Sequence, residues 1–254
     1  MMTEKENYIQ FNNLDKNKEV AHLFTKKPFD FNGKTIDNNK IISQYKEIEK
    51  ITNIKCKKII KPIQTHTNIV KKLDNSNINE KFENVDGLIT NLREVALVTS
   101  LADCQGILLY DKNKKVIGNI HSGWNGTLHR IIYNAITLMI KEYNCDVKDI
   151  EAYICPSILH CCFEVDNDVK EKFENEFSDI KINNYITLGE IKDNKQKYYI
   201  DTVSINIDIM KKIGLLEQNI FSSNICTKCN KEIYNSHRGE PNIDGRNIAF
   251  IALK

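Results

Sequence analysis

Proline, glycine and tryptophan are scarce: the 254 residues hold 4 Pro, 10 Gly and a single Trp. So little proline excludes polyproline spacers, and no Pro/Gly/Ser-rich linker divides the chain. Internal repeats are missing too, which excludes solenoid and propeller arrays. Residues 1–254 are therefore expected to form a single domain with a sizeable core. The first 50 residues are polar and weakly periodic, and about the first 20 are expected at the periphery. No apolar run reaches the roughly 18 residues that a transmembrane helix requires, so no membrane-spanning helix is expected.

Charge of one sign is also lacking. Lys and Arg number 36 against 34 Asp and Glu, a net charge of +2. The balance leaves no basic footprint for a nucleic-acid partner. The Lys-rich stretches Lys55–Lys61 and Lys112–Lys115 read as solvated faces or turns. The N-terminal MMTEKENYIQFNN has no apolar core of a secretory signal, so a cytoplasmic location is expected. Disulfides are rare in that reducing compartment, and the 8 cysteines become candidates for packing, metal ligation or nucleophilic chemistry.

What is present reads as interleaved strands and helices. Ile41, Ile42, Tyr45, Ile48 and Ile51 recur at helical spacing, with Asn38 or Asn39 as N-cap. Residues 73–84 read as an exposed loop. Strands are expected over Val95–Ser100, Gly106–Tyr110 and Val116–Ile120, with a turn over Asp111–Lys114 between the last two. The third ends at the glycine-rich corner His121-Ser-Gly-Trp-Asn-Gly-Thr127. An apolar helical face then runs from Leu128 to Ile140, with Thr127 as its cap. A short strand over residues 151–155 follows, then helices around Asp168–Glu176 and Val203–Ile213. Gly214 ends the second of these, and a strand over Ile248–Leu253 closes the chain. Tight turns join several strands, so mixed sheets are favoured over purely parallel ones.

Three residues carry candidate chemistry: His66 in Gln64-Thr-His-Thr-Asn68, Cys104 in Ala102-Asp-Cys-Gln105, and His121 at the end of a strand. Zinc accepts imidazole nitrogen and thiolate sulfur, and three protein ligands with one open position is its catalytic pattern. Cys104 and His121 flank a hairpin; His66 must come in from elsewhere. Asp103 adjoins a ligand and either supports it or points to the opposite side, as neighbours on a strand do. Gly123 and Gly126 precede a helix, so the corner is either an anion cradle or an ordinary strand-to-helix turn. Cys226-Thr-Lys-Cys229 is a CxxC, but a zinc ribbon needs two more ligands at suitable spacing and Cys161-Cys162 is not a second CxxC. These four cysteines are read as structural or incidental. His129, His160 and His237 are read as packing or surface residues, and Trp124 as packing for the corner.

The blocks TSLADCQGILLYD, VIGNIHSGWNGT, CPSILHCCFEV and ICTKC followed by YNSHRGEPNIDGRNIAFIAL occur in that order. They resemble the signature blocks of the multicopper polyphenol oxidoreductase, or laccase-like, family, from about Val20 to the C-terminus. That family is now generally read as purine nucleoside phosphorylases with adenosine deaminase and methylthioadenosine phosphorylase activities. The resemblance implies an α+β fold, a single-domain α/β/β/α sandwich with mixed sheets. It implies Zn2+ on His66, Cys104 and His121, with copper as the older alternative. It also implies adenosine, inosine, guanosine or methylthioadenosine as substrates alongside phosphate.

Asp103 joins Cys104 and His121 as a catalytic candidate. Lys27, Gly123, Gly126, Arg238 and Arg246 are the candidates for binding substrate or phosphate. The chain departs from the family pattern at Asn125, where a basic residue is common, and at Gly239, where a second arginine often follows the first. It departs again at Lys26 or Lys27, in place of arginine. Competing readings are a Cys104–His121 hydrolase or deamidase, a copper-dependent phenol oxidase, and an editor of cell-wall peptide precursors. A monomer is the default.

Overall fold

The computed structural model describes residues 2–34, 36–242 and 244–254. Strands buried on both faces read as apolar runs rather than as clean alternation. Val95–Leu101, Gln105–Asp111, Val116–Ser122 and Asn247–Leu253 are of this kind. They form the centres of two six-stranded sheets. The first sheet runs in the order Met2–Glu4, Tyr8–Phe11, Val20–Thr25, Asn247–Leu253, Val95–Leu101, Lys58–Ile60. The second runs Ile220–Ser222, Ile150–Ile154, Gln105–Asp111, Val116–Ser122, Gly87–Thr90, Val70–Lys72. Both are mixed, each containing parallel as well as antiparallel pairs.

Successive side chains alternate between two layers of core. Leu97, Leu101, Leu108, Tyr110 and Ile117 face inward and fill the space between the sheets. Ile107, Leu109 and Ile120 face outward, against Ile132, Ala135 and Ile136 of the helix Ile131–Tyr143 and Ile205 and Ile209 of the helix Thr202–Ile213. On the far side, Val98 and Phe250 meet Ile48 of the helix Asn38–Thr52. The architecture is the expected α/β/β/α sandwich with mixed sheets. A polar pair, Asn119 and Thr99, sits between the sheets. Asn119, buried, donates to the carbonyls of Leu97 at 2.9 Å and Ala249 at 2.8 Å, and accepts from the Thr99 hydroxyl at 2.8 Å.

Several expectations shift. The helix that carries Ile41 to Ile51 begins at Asn38 and is capped by Asp37, whose carboxylate accepts from the Asn39 amide at 2.7 Å. The corner helix is broken in two. Trp124–Leu128 forms a single short turn, Arg130 adopts a left-handed φ of 55°, and the long helix starts at Ile131. Thr127 therefore caps nothing, and its hydroxyl pairs with Ser122 Oγ at 2.9 Å. The N-terminal residues lie at the periphery as the two strands at one edge of the first sheet, Met2–Glu4 and Tyr8–Phe11, and they also bury Ile9, Phe11 and Leu14. A small third sheet, Glu164–Val165, Lys195–Ile200 and Ile186–Lys192, had no apolar signature to announce it. Among the described residues no helix is long and apolar enough to cross a membrane.

Candidate metal and active site

His66, Cys104 and His121 come together. His121 lies on the strand Val116–Ser122, paired across the hairpin with Gly106, and Cys104 sits in the turn that precedes this hairpin. His66 arrives on the loop between Lys58–Ile60 and Val70–Lys72, in a left-handed conformation with φ 62°. Cys104 Sγ lies 3.8 Å from His66 Nε2, and the ligand atoms of the three residues all lie within 4.8 Å of one another. An ion with bonds of about 2.0–2.3 Å spans such a gap, so the donor set fits a zinc-like cation. Gly123 makes the approach possible: a Cβ there would meet His66 Cδ2 at 2.8 Å and Cys104 Sγ at 3.2 Å.

Asp86 organises this group and escaped the sequence reading. It is fully buried and accepts from His121 Nδ1 at 2.7 Å, leaving His121 Nε2 as the nitrogen available to a ligand. It also accepts from the amides of Thr65, His66 and Thr67 and from the Thr67 hydroxyl. Burial works to raise its pKa, but the hydrogen bonds from His121 and Thr67 outweigh this and hold it down at about 2. Burial likewise opposes ionisation of Cys104, yet His121 and His66 pull the thiol down to about 6. His121 is held up at about 9, against its burial, by Cys104 and Asp86. Two anionic groups thus lie beside two imidazoles, an arrangement suited to a divalent cation or to a thiolate–imidazolium pair.

Two cavities meet at this trio. One, of about 260 Å³, is walled by Trp124, Ile158, Phe163 and Arg238. The other, of about 690 Å³, is walled by Lys61, Gln64 and Arg246. His66, Cys104 and His237 border both. His237, read from sequence as a packing or surface residue, therefore faces the site. So does Lys61, which had been grouped with the solvated lysines; burial and the nearby Arg246 lower its pKa.

The remaining candidates divide. Arg238 lines the smaller cavity, held by a bond from Nη1 to the Glu164 carbonyl at 2.9 Å, and Arg246 lines the larger one, ion-paired to Asp244. Lys27 faces neither cavity; its ammonium binds Glu240 and the Lys231 carbonyl, each at 2.7 Å. Gly126 packs the corner onto the ligand loop, its Cβ position 3.2 Å from the Thr67 carbonyl. Asn125 serves the same contact, donating to the His66 carbonyl at 2.7 Å. Asp103 borders the smaller cavity at φ 84°, but its carboxylate is occupied. It accepts from Thr227 Oγ1 at 2.7 Å and from Ser236 Oγ and the Arg238 amide, each at 2.6 Å. It fastens two loops together. A second group was not foreseen as a cluster: Cys161, Cys162, Cys226 and Cys229, read as structural or incidental, gather with all four sulfurs within 4.8 Å of one another.

A two-sheet sandwich with a His–Cys–His group open to paired cavities defines a candidate metal-dependent enzyme. The chain belongs to the family described as multi-copper polyphenol oxidoreductase laccase, which matches residues 27–254. It is 33% identical over 236 residues, 92% of this chain and 93% of the other, to a protein of Borreliella burgdorferi named purine nucleoside phosphorylase. It is 28% identical to purine nucleoside phosphorylase YlmD of Bacillus subtilis, over 75% of this chain and 69% of that one. The fold is that of the Bacillus licheniformis protein YfiH. The two superpose with a TM-score of 0.88 at 22% identity, covering 100% of this chain and 99% of that one.

Proposed function

We propose that this protein is a zinc-dependent purine nucleoside phosphorylase that cleaves adenosine, inosine, guanosine or methylthioadenosine with phosphate, and deaminates adenosine as a side activity. The observation that carries the reading is the position of His66, Cys104 and His121 at the junction of an apolar-walled cavity and a cationic one. Zinc on these ligands would supply Lewis acidity and lower the pKa of water. The choice of zinc rests on the mixed nitrogen and sulfur donors and the open fourth side. Asp86 fixes the His121 ring through Nδ1, and its carboxylate with the Cys104 thiolate balances a divalent charge. Trp124, Ile158 and Phe163 offer flat or apolar walls to a purine. Arg238, Lys61 and Arg246 offer cations to a phosphate, the arginines through charge-assisted hydrogen bonds.

The Cys104–His121 pairing also favours a second reading, a cysteine hydrolase or deamidase with Cys104 as nucleophile and His121 as base. One experiment separates the two. Metal content is measured on the wild type and on Cys104→Ala, and adenosine turnover is followed with and without phosphate. Zinc that falls by one equivalent in the variant, with phosphate-dependent release of adenine and ribose 1-phosphate, supports the phosphorylase. Ammonia released without phosphate assigns the site to deamination. A wild type without zinc that still hydrolyses an amide overturns the zinc reading in favour of the cysteine nucleophile.

A further inference from the structure

We infer that Cys161, Cys162, Cys226 and Cys229 form a second metal site, a tetrathiolate that takes zinc or another thiophilic divalent cation and clamps the walls of the smaller cavity. The four sulfurs all lie within 4.8 Å of one another, with Cys229 Sγ 3.8 Å from Cys161 Sγ and 3.4 Å from Cys162 Sγ. Tetrahedral zinc with bonds of about 2.3 Å to sulfur sets its ligands roughly 3.8 Å apart, so the cluster already has the size of a loaded site. A disulfide requires about 2.05 Å between sulfurs and joins only two of the four. All eight cysteines are free thiols.

Two backbone turns bring the four cysteines together. Cys161 and Cys162 sit on a tight turn closed by amide bonds from Cys162 and Phe163 to the Leu159 carbonyl, each at 2.9 Å. Cys226 and Cys229 sit on a second turn, closed by the Asn230 amide and side chain on the Cys226 carbonyl. The two turns are aligned by a bridge in which Ser157 N donates to Ile225 O at 3.2 Å and Thr227 N donates to Ser157 O at 3.0 Å. Cys161 and Cys229 are exposed, which leaves a route for the ion from solvent.

Each turn continues directly into the cavity wall. Phe163 and Glu164 follow Cys162; the Phe163 ring lies 5.8 Å from the Arg238 guanidinium, and the Glu164 carbonyl holds that guanidinium. Thr227, inside the CxxC, donates to Asp103, which also anchors the Arg238 amide. An ion on the four sulfurs would cross-link the segment carrying Phe163 to the segment carrying Arg238. Its role is that of a closed structural site, distinct from the open one at His66, Cys104 and His121.

The test uses the full chain purified under reducing conditions and reconstituted with zinc or with cobalt(II). Zinc content is expected to be two per chain in the wild type and one in both Cys104→Ala and Cys229→Ser. Cobalt-loaded Cys104→Ala is expected to show the intense thiolate-to-cobalt charge-transfer absorption of four sulfur ligands, and the Cys104→Ala/Cys229→Ser double variant to lose it. Cys104→Ala leaves the proposed cluster untouched, so its spectrum answers the question even where Cys229→Ser fails to fold. A Cys104→Ala protein that takes up neither zinc nor cobalt overturns the inference, as does a stable disulfide among the four under these conditions. None of these readouts depends on nucleoside turnover.

Discussion

Asp86 accepts five hydrogen bonds, from His121 Nδ1, the amides of Thr65, His66 and Thr67, and the Thr67 hydroxyl, and no oxygen is spare. Asp86→Asn would turn an amide NH2 towards donors that need acceptors, whichever way it is flipped. If the proposed zinc site at His66, Cys104 and His121 holds, the variant is expected to bind zinc there roughly 10- to 100-fold more weakly, as loss of a ligand's supporting partner usually does. Competition with a chelator of known affinity measures this, and an unchanged affinity would remove Asp86 from the metal site. The three candidate ligands themselves were legible because histidine and cysteine advertise their chemistry by type. Asp86 was not, because one aspartate among many gains its role only when the loop of residues 65–67 folds over it. The four cysteines were missed for a related reason. Cys161 and Cys162 stand 67 or 68 residues from Cys229, and only the bridge between Ser157 and Cys226 brings the turns together.

Strands and helices whose surroundings are uniform announce themselves, and those half in water do not. Val95–Leu101, Gln105–Asp111 and Val116–Ser122 are nearly continuous apolar runs because helices or a sheet cover both faces. The hairpin Ile186–Lys192 with Lys195–Ile200 is exposed or half-buried along nearly all its length and carries three lysines, so its pairing leans on the turn. Asp193 and Asn194 there take left-handed φ values of 51° and 59°, as tight hairpins prefer. The break at Arg130 was equally invisible: its guanidinium is held by Glu176 and Asp179, residues far along the chain. Asn119 shows what a polar side chain does in the layer between the two sheets. Asn119→Leu would leave the Thr99 hydroxyl without its acceptor and take one donor each from the carbonyls of Leu97 and Ala249 in a dry layer. The expected cost is about 2–4 kcal/mol, read from urea unfolding. Adding Thr99→Val to the same chain should recover part of it, and a neutral Asn119→Leu would show that the sheets pack without this polar link.

At the scale of the whole molecule, the four layers leave ionisable groups stranded where water cannot follow, and these set the acid limit of the fold. His22 is one. It lies on Val20–Thr25, almost wholly buried, with Nε2 accepting from the Phe11 amide at 2.8 Å and no partner for Nδ1 among the described residues. Burial, with a smaller contribution from the positive charge of Lys254, holds its pKa down at about 3, against 6.5 for a free imidazole. The folded chain therefore keeps His22 neutral while the unfolded chain takes up a proton, so stability is full above pH 6.5 and drains away as pH falls towards 3. A difference of one bound proton corresponds to about 1.4 kcal/mol per pH unit at its steepest. His22→Gln keeps an acceptor for Phe11 but does not titrate. Between pH 6 and 4 its unfolding free energy, measured in urea, should fall less steeply than that of the wild type by up to that slope. Parallel curves would mean that the buried carboxylates, Asp86 foremost, dominate the acid limb instead.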